Sequence, residues 1–302
     1  MASLDSAFFK TLNRFHIRVR TARGHRPGET PIPRTSQASG VEFESFKEYS
    51  PGDDFRHLDW NTLGRLDQLM VRTFTAEREI PFHLFLDTSA SMGVPAVDDK
   101  FGFALDIMSA LSYVVLANNN TLRLIALAAP DARKPAFRAT PFLRHRSRFF
   151  RLQPFLDSLS ASGKTTLRES VRAYIGQTLE PGVAIVISDF MTPADQYREA
   201  LAFLKARGYE VKAIHVLGAA ELDPRRLFRR GKLYDVEDGA ERWITLSEAN
   251  LGRYQELLQA HPGAVRDFCH QHQILYSQAS TRQAVSQVVS QELTRTGLLA
   301  LR

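Results

Sequence analysis

Beyond residue 80 the chain alternates between two hydrophobic patterns. Short unbroken apolar runs come first, the clearest being Ile80-Pro-Phe-His-Leu-Phe-Leu86 and Gly182-Val-Ala-Ile-Val-Ile187. Each is stopped by an aspartate, Asp87 and Asp189. A run with no polar face is what a strand buried on both sides of a sheet requires. Residues 122–127, 211–217 and 274–278 supply three more strands. Between them apolar residues recur every three to four positions, predicting helices over 103–115, 147–160, 166–179, 194–207, 249–271 and 282–296, with a hairpin over 231–246. Strands alternating with helices of this length build right-handed βαβ units. The expected fold class is α/β, a doubly wound and mostly parallel sheet over residues 80–302.

The first 79 residues follow another pattern. Leu4, Phe8, Leu12 and Phe15 stand at helical spacing over 4–20, and residues 21–40 are rich in Gly, Pro, Ser and Thr, as a loop would be. Val41-Glu-Phe-Glu-Ser-Phe46 and Leu69-Met-Val-Arg-Thr-Phe74 alternate as strands do, around a turn signal at Pro51-Gly52-Asp53-Asp54. Residues 1–79 therefore read as an N-terminal helix, loop and β-rich appendage, and Trp60 within it as packed core.

Composition adds limits. The 302 residues are 44% hydrophobic and 24% charged, ordinary for a globular chain with a sizeable core. The single cysteine, Cys269, forms no internal disulfide, which fits a reducing compartment. No apolar run approaches the ~18 residues of a membrane span. The first ten residues lack the basic start and apolar stretch of a signal peptide, so the expected location is the cytoplasm. The net charge of +6 gathers around Arg14–Arg26, Arg144–Arg151 and Arg225–Lys232. With no nucleic-acid motif beside them, these clusters predict solvated faces or docking surfaces for acidic protein, and no specific nucleic acid.

The chemistry lies where the buried runs end. Ligands of an open α/β sheet bind at the carboxyl ends of its strands, where strand order reverses. Asp87 and Asp189 both belong on that edge. Two hydroxyls, Ser89 and Ser91, follow Asp87 at alternate positions, and Thr165 and Thr166 open the helix before the strand of Asp189. Carboxylate and hydroxyl oxygens from three loops form a hard donor set of the kind Mg²⁺ accepts. Two carboxylates among neutral hydroxyls leave a divalent ion short of one anion, which an Asp or Glu of another protein can supply. The competing assignment makes these residues helix N-caps.

Other constellations are weaker. Gly163-Lys-Thr-Thr166 lacks the first glycine of a phosphate loop, since Ser158 stands at that position. Cys269-His270-Gln271-His272 has no standard zinc spacing. Asp53, Asp54 and Asp59 suit a turn better than a hydrolytic pair. Arg56, Asp59, Trp60 and Arg65 read as a polar brace or a docking surface.

The strand-end residues resemble the metal-ion-dependent adhesion site of von Willebrand factor A domains. The chain more specifically resembles the bacterial DUF58 family, in which such a domain follows an upstream signature. Here that signature is Gly40-Val-Glu-Phe43, Glu48-Tyr49-Ser-Pro-Gly-Asp-Asp54, Arg56-His-Leu-Asp-Trp60, Arg65, Leu69-Met-Val-Arg72 and Glu77, running into Leu86-Asp-Thr-Ser-Ala-Ser-Met92. The resemblance implies that Ser89, Ser91 and Thr165 touch the metal, and that Asp87 and Asp189 hold it directly or through water. Family members often have Thr-Asp where this chain has Thr165-Thr166, which leaves the choice of threonine open. The implied ion is Mg²⁺, or Mn²⁺ or Ca²⁺ in its place. The implied partners are a MoxR-type AAA+ ATPase and a client protein that brings the acidic ligand. The implied role is that of a non-enzymatic adaptor in chaperone-like assembly or activation of clients. Some members begin with membrane spans; none is expected here. The alternative is a metal-dependent hydrolase using the same carboxylates. It needs a general base, and His83 is the histidine nearest to them in sequence.

Overall fold

The structure, a computed structural model, describes residues 6–19, 41–76, 80–127, 136–164, 167–177, 180–222, 230–234, 241–245 and 248–302. The chain forms two units, Arg23–Glu79 and Met1–Ala22 together with Ile80–Arg302. The N-terminal helix thus belongs to the α/β unit and not to the β-rich segment with which its sequence position groups it. The reason is a long-range pairing. Helix α1 (Ser6–Leu12) stops well before residue 20 because the chain turns into strand β1 (Phe15–Ile17), antiparallel to β12 (Leu299–Leu301). Phe8, Leu12, Phe15 and Ile17 are buried in the same cluster as the sheet's first strand.

In the smaller unit β2 (Val41–Glu48) and β3 (Met70–Ala76) pair antiparallel, with a register shift between Phe43 and Ser45. The connection holds a 3-10 turn (Phe55–His57) and helix α2 (Trp60–Leu66). Leu58 and Val71 are buried apolar side chains among its described residues. Trp60 is 68% exposed, against the expectation of packed core. It stands at the first position of a seven-residue helix with no buried residue, so α2 presents no face for a core to form on.

The larger unit is built on a six-stranded sheet. Its strands are β4 (Pro81–Asp87), β5 (Thr121–Leu127), β6 (Phe137–Ala139), β7 (Val183–Ser188), β8 (Glu210–Leu217) and β11 (Leu275–Ser280), in the spatial order β11-β8-β7-β4-β5-β6. Five are parallel, and β6 is an antiparallel edge strand of three residues, too short to show a period in the sequence. The hairpin of β9 (Arg230–Tyr234) and β10 (Glu241–Thr245) forms as expected.

Side chains of a strand alternate between faces. Leu84 and Leu86 pack with Ile107, Leu111 and Val114 of helix α3 (Lys100–Ala117) on one face. Phe85 packs on the other with Val171 of α5 (Leu167–Gln177) and Leu201 of α6 (Ala194–Ala206), the short helix α4 (Gln153–Asp157) preceding them in the chain. Val265 of α7 (Glu248–Gln271) joins that second cluster. Two buried clusters, one per face, make the sheet doubly covered. Helix α3 is apolar nearly all round, as a central helix should be. Among the described residues it lies in the one helical stretch, Ala96–Ala117, long and apolar enough to cross a membrane, and 78% of that apolar window is buried in the fold. The predicted closing helix over 282–296 is broken by a π turn at Val288–Glu292.

Close approach also explains one glycine. A Cβ on Gly182 would stand 1.9 Å from the carbonyl oxygen of Pro81, so only glycine lets β7 start beside β4. From β4 the chain steps to β5 on one side, then returns to β7 on the other. The strand order therefore reverses between β4 and β7, which sets the crevice of the sheet there.

Candidate functional site

Asp87 ends β4 and Asp189 follows β7, so both emerge at that reversal. The Asp87 carboxylate is fully buried and bridges the two strands. One oxygen accepts from the Ser89 backbone N–H at 2.9 Å, and the other from the Ser188 hydroxyl at 2.7 Å. Ser188 Oγ in turn accepts from Phe190 N–H at 2.8 Å. That bond holds Phe190, buried among aromatic rings, at a φ of 52°. A bulky residue in the left-handed region is strained, and here the strain turns the chain sharply after Asp189.

The hydroxyls line up toward the second aspartate. Ser89 Oγ and Ser91 Oγ are 2.9 Å apart, and Ser91 Oγ lies 3.4 Å from Asp189 Oδ1. Met191 N–H donates to the same Oδ1 at 3.0 Å. The loop around Ser89 is itself tied down. Thr88 Oγ1 donates to the Leu127 carbonyl at the end of β5. Ser162 N–H donates to Thr88 O at 2.9 Å, and Ala90 N–H to Gly163 O at 2.8 Å. Residues 160–164 are thus docked on the Asp87 loop.

A buried cation completes the arrangement. The Lys100 side chain is 0% exposed, and its Nζ donates to Asp189 Oδ2 at 2.8 Å and to Glu221 Oε1. Glu221 Oε2 accepts from Gly218 N–H at 2.7 Å. Burial, and then the charge of Asp189, push the Asp87 carboxyl up to about 6. Burial also raises the carboxyl of Glu221. For Lys100 burial acts downward, but the charges of Asp189 and Glu221 outweigh it and raise its pKa.

Four of the five residues expected from sequence, Asp87, Ser89, Ser91 and Asp189, are brought together. Thr165, like its neighbour Thr166, lies outside the described residues, as do Gly40 and Glu77 of the upstream signature. Side-chain capping is not what Ser89 does: it is positioned as the N-cap of the turn Ala90–Gly93 without a side-chain cap bond. The donors are all hard oxygens, the set that Mg²⁺ takes. The 3.4 Å gap from Ser91 to Asp189 is longer than an ordinary hydroxyl hydrogen bond, so these oxygens face one another without being fully paired. Among the described residues no group of three or more His, Cys, Asp or Glu could hold a metal, so hydroxyls must contribute at any metal site here.

Sequence reasoning missed Ser188, Lys100 and Glu221. One signal for Lys100 was present: it opens α3, where the helix dipole disfavours a cation. It also missed His215, a buried residue paired in register with Ser188. His215 Nδ1 is 2.9 Å from the Tyr276 hydroxyl, and burial, then His261, hold the imidazole near a pKa of about 3. His83 stands four residues back along β4, ~13 Å at the strand rise of about 3.3 Å per residue. Its Nδ1 is 2.7 Å from Tyr174 OH. Cys269 is buried and its thiol is pushed up to about 12 by burial, unlike a metal thiolate. Asp53, Asp54 and Asp59 serve the local backbone, as the turn reading expects: Asp54 and Asp59 cap helices, and Asp53 accepts from Ser50 N–H.

Residues 45–262 match the family described as "Protein of unknown function DUF58". Uncharacterized proteins of Mycobacterium bovis and Mycobacterium tuberculosis are 30% identical over 243 residues, covering 80% of this chain. The chain spans 66% of the length of these relatives. Among solved structures, BatB from Bacteroides thetaiotaomicron aligns over 72% of this chain and 98% of its own, at 17% identity and a TM-score of 0.41. An aerotolerance-related membrane protein from Bacteroides fragilis aligns over 72% and 99%, at 17% identity and a TM-score of 0.40. The pilus adhesin SpaC from Lactobacillus rhamnosus GG aligns over 74% and 31%, at 13% identity and a TM-score of 0.41.

Proposed function

This chain belongs to the DUF58 family, and from the arrangement at its strand ends we propose that it is a non-enzymatic, metal-ion-dependent adaptor that binds other proteins. Its larger unit is then a von Willebrand factor A-type domain and the strand-end crevice its adhesion site. Asp87, Ser89, Ser91, Asp189 and Thr165 hold Mg²⁺ or a similar divalent ion. When bound, that ion supplies a positive centre short of one anionic ligand, which an Asp or Glu of the partner provides. The working partner is a MoxR-type AAA+ ATPase, and the shared task is chaperone-like assembly or activation of a client in the cytoplasm.

The observation that carries this reading is the row of oxygens from Ser89 through Ser91 to Asp189 at the reversal between β4 and β7. The surroundings suit docking as well. Val94 and Val97, just after Ser91, and Met191, just after Asp189, are exposed apolar side chains beside a charged centre. Apolar side chains around a small polar focus are a common make-up of protein interfaces. The chain's residues divide the work: Asp87 and Ser188 fix the loop, Ser91 stands at the partly open side, and Asp189 carries the charge. The hydrolase alternative gains nothing from the geometry. His83 lies far from the carboxylates along its strand, and His215 is buried against the Tyr276 hydroxyl with burial lowering its pKa to about 3, which makes it a weak base.

The test is capture of a MoxR-type AAA+ ATPase, with and without EDTA, by the wild type and by Ser91→Ala. Binding should require the ion and weaken in the variant. Capture that survives both EDTA and the substitution contradicts a metal bridge.

A further inference from the structure

Lys100 sits where a fold has no ordinary use for a lysine. It opens a helix, against the helix dipole, and its side chain is 0% exposed. Withdrawing an ammonium from water is costly unless carboxylates surround it. Here two do, and they come from different parts of the chain: Asp189 follows β7, while Glu221 belongs to the loop after β8. That loop is itself anchored, with Ala220 N–H donating to Asp98 at 2.8 Å and Ala219 N–H to Thr281 at 2.8 Å. Glu221 is therefore held in place by backbone as well as by the lysine.

Asp189 is shared. Its Oδ1 faces Ser91 and the hydroxyl row, and its Oδ2 faces the ammonium. Among the described residues, Asp87, Asp189 and Glu221 gather around the Lys100 ammonium, an excess of negative charge at this edge of the sheet. We propose that Lys100 is the chain's own cation at this site: its ammonium competes with a divalent ion for Asp189, and Glu221 is the carboxylate that keeps the ammonium when the ion is bound. This rests on the reading of the strand ends as a metal site. It turns that site into a two-position device, in which the charge on Asp189 is answered from inside the protein until an ion takes it over. The lysine thereby sets the concentration at which the ion, and with it the partner, binds.

Two substitutions pull the device in opposite directions. Lys100→Met removes the competitor, and Glu221→Gln removes the alternative seat and leaves the ammonium on Asp189. Titration of the full chain with Mn²⁺, followed by the electron paramagnetic resonance of the free ion, should show at least tenfold tighter binding for Lys100→Met and at least tenfold weaker binding for Glu221→Gln. A lysine that only braces the fold predicts shifts of one sign in both variants, and that result overturns the inference while leaving the metal site standing. Should neither the wild type nor Lys100→Met bind Mn²⁺, the inference falls together with the metal reading. Because Lys100→Met removes a buried partner, its thermal midpoint is also read in EDTA and in saturating Mn²⁺. The rise caused by the ion should exceed that of the wild type, and an equal or smaller rise counts against the competition.

Discussion

Aspartates gather in both units of this molecule, and only one gathering has the makings of a ligand site. In the smaller unit Asp53, Asp54 and Asp59 are each answered close by. Asp53 accepts from Ser50 N–H and Lys47, Asp54 from Arg56 N–H, and Asp59 from Asn61 N–H, Thr62 and Arg72. At the strand ends of the larger unit local N–H groups contribute too, but the side-chain partners come from far along the chain. Ser188 reaches Asp87 across 101 residues, and Lys100 reaches Asp189 across 89. A turn satisfies its own acids locally. A parallel sheet instead collects acids from separate loops in a buried crevice, where local backbone N–H groups meet one oxygen of each carboxylate and side chains from distant segments meet the other. Residue type is the same in both places; convergence over sequence distance makes the difference.

The contrast can be broken at the lysine. Lys100→Met leaves Asp189 buried without its ammonium, and removal of one partner of a buried pair costs about 3–5 kcal/mol. Urea unfolding in EDTA should show that loss, whereas Lys47→Met, which strips the exposed partner from Asp53, should change stability by less than about 1 kcal/mol. Comparable losses for the two would erase the distinction.

Buried groups of the larger unit also predict a pH dependence. Burial, and then Arg123, hold His83 near a pKa of about 4, below its usual 6.5. The folded protein keeps this ring neutral while the unfolded chain protonates it. Its contribution is therefore intact above about pH 6.5 and is lost as the pH falls from there toward 4, amounting to about 3 kcal/mol. Stability of the wild type and of His83→Gln, compared at pH 7 and pH 4, should show a drop smaller by that amount in the variant. Parallel curves would mean that His83 is not the group responsible.

Much of this arrangement was legible from sequence, for physical reasons that also mark where it stopped. Asp87 and Asp189 could be placed because each interrupts an unbroken apolar run, the mark of a central parallel strand. Lys100 could not, because its unfavourable place at the start of α3 is a weak signal by itself, and its burial depends on a loop 121 residues away. The pairing of Phe15–Ile17 with Leu299–Leu301 joins the two ends of the chain, and no local period announces it. Trp60 was misplaced because a large apolar residue normally finds a core, and the seven-residue α2 offers none.

Single oxygens of the two units should differ as well, by smaller amounts. Ser91→Ala removes one neutral oxygen and should weaken Mn²⁺ binding by roughly tenfold, about 1.4 kcal/mol, with unfolding little changed because Ser91 is only partly buried. An affinity equal to the wild type would strike Ser91 from the donor set. Asp53→Asn, in the smaller unit, should leave ion binding within twofold of the wild type by the same titration.

The central claim is that the strand-end oxygens hold one divalent ion, and the most direct measurement is Mn²⁺ stoichiometry by equilibrium dialysis on wild type, Asp189→Asn and Asp59→Asn. The account predicts one ion per chain for the wild type and for Asp59→Asn, and at least a hundredfold weaker binding for Asp189→Asn. Binding that is absent from the wild type, or that survives Asp189→Asn and disappears in Asp59→Asn, would contradict it.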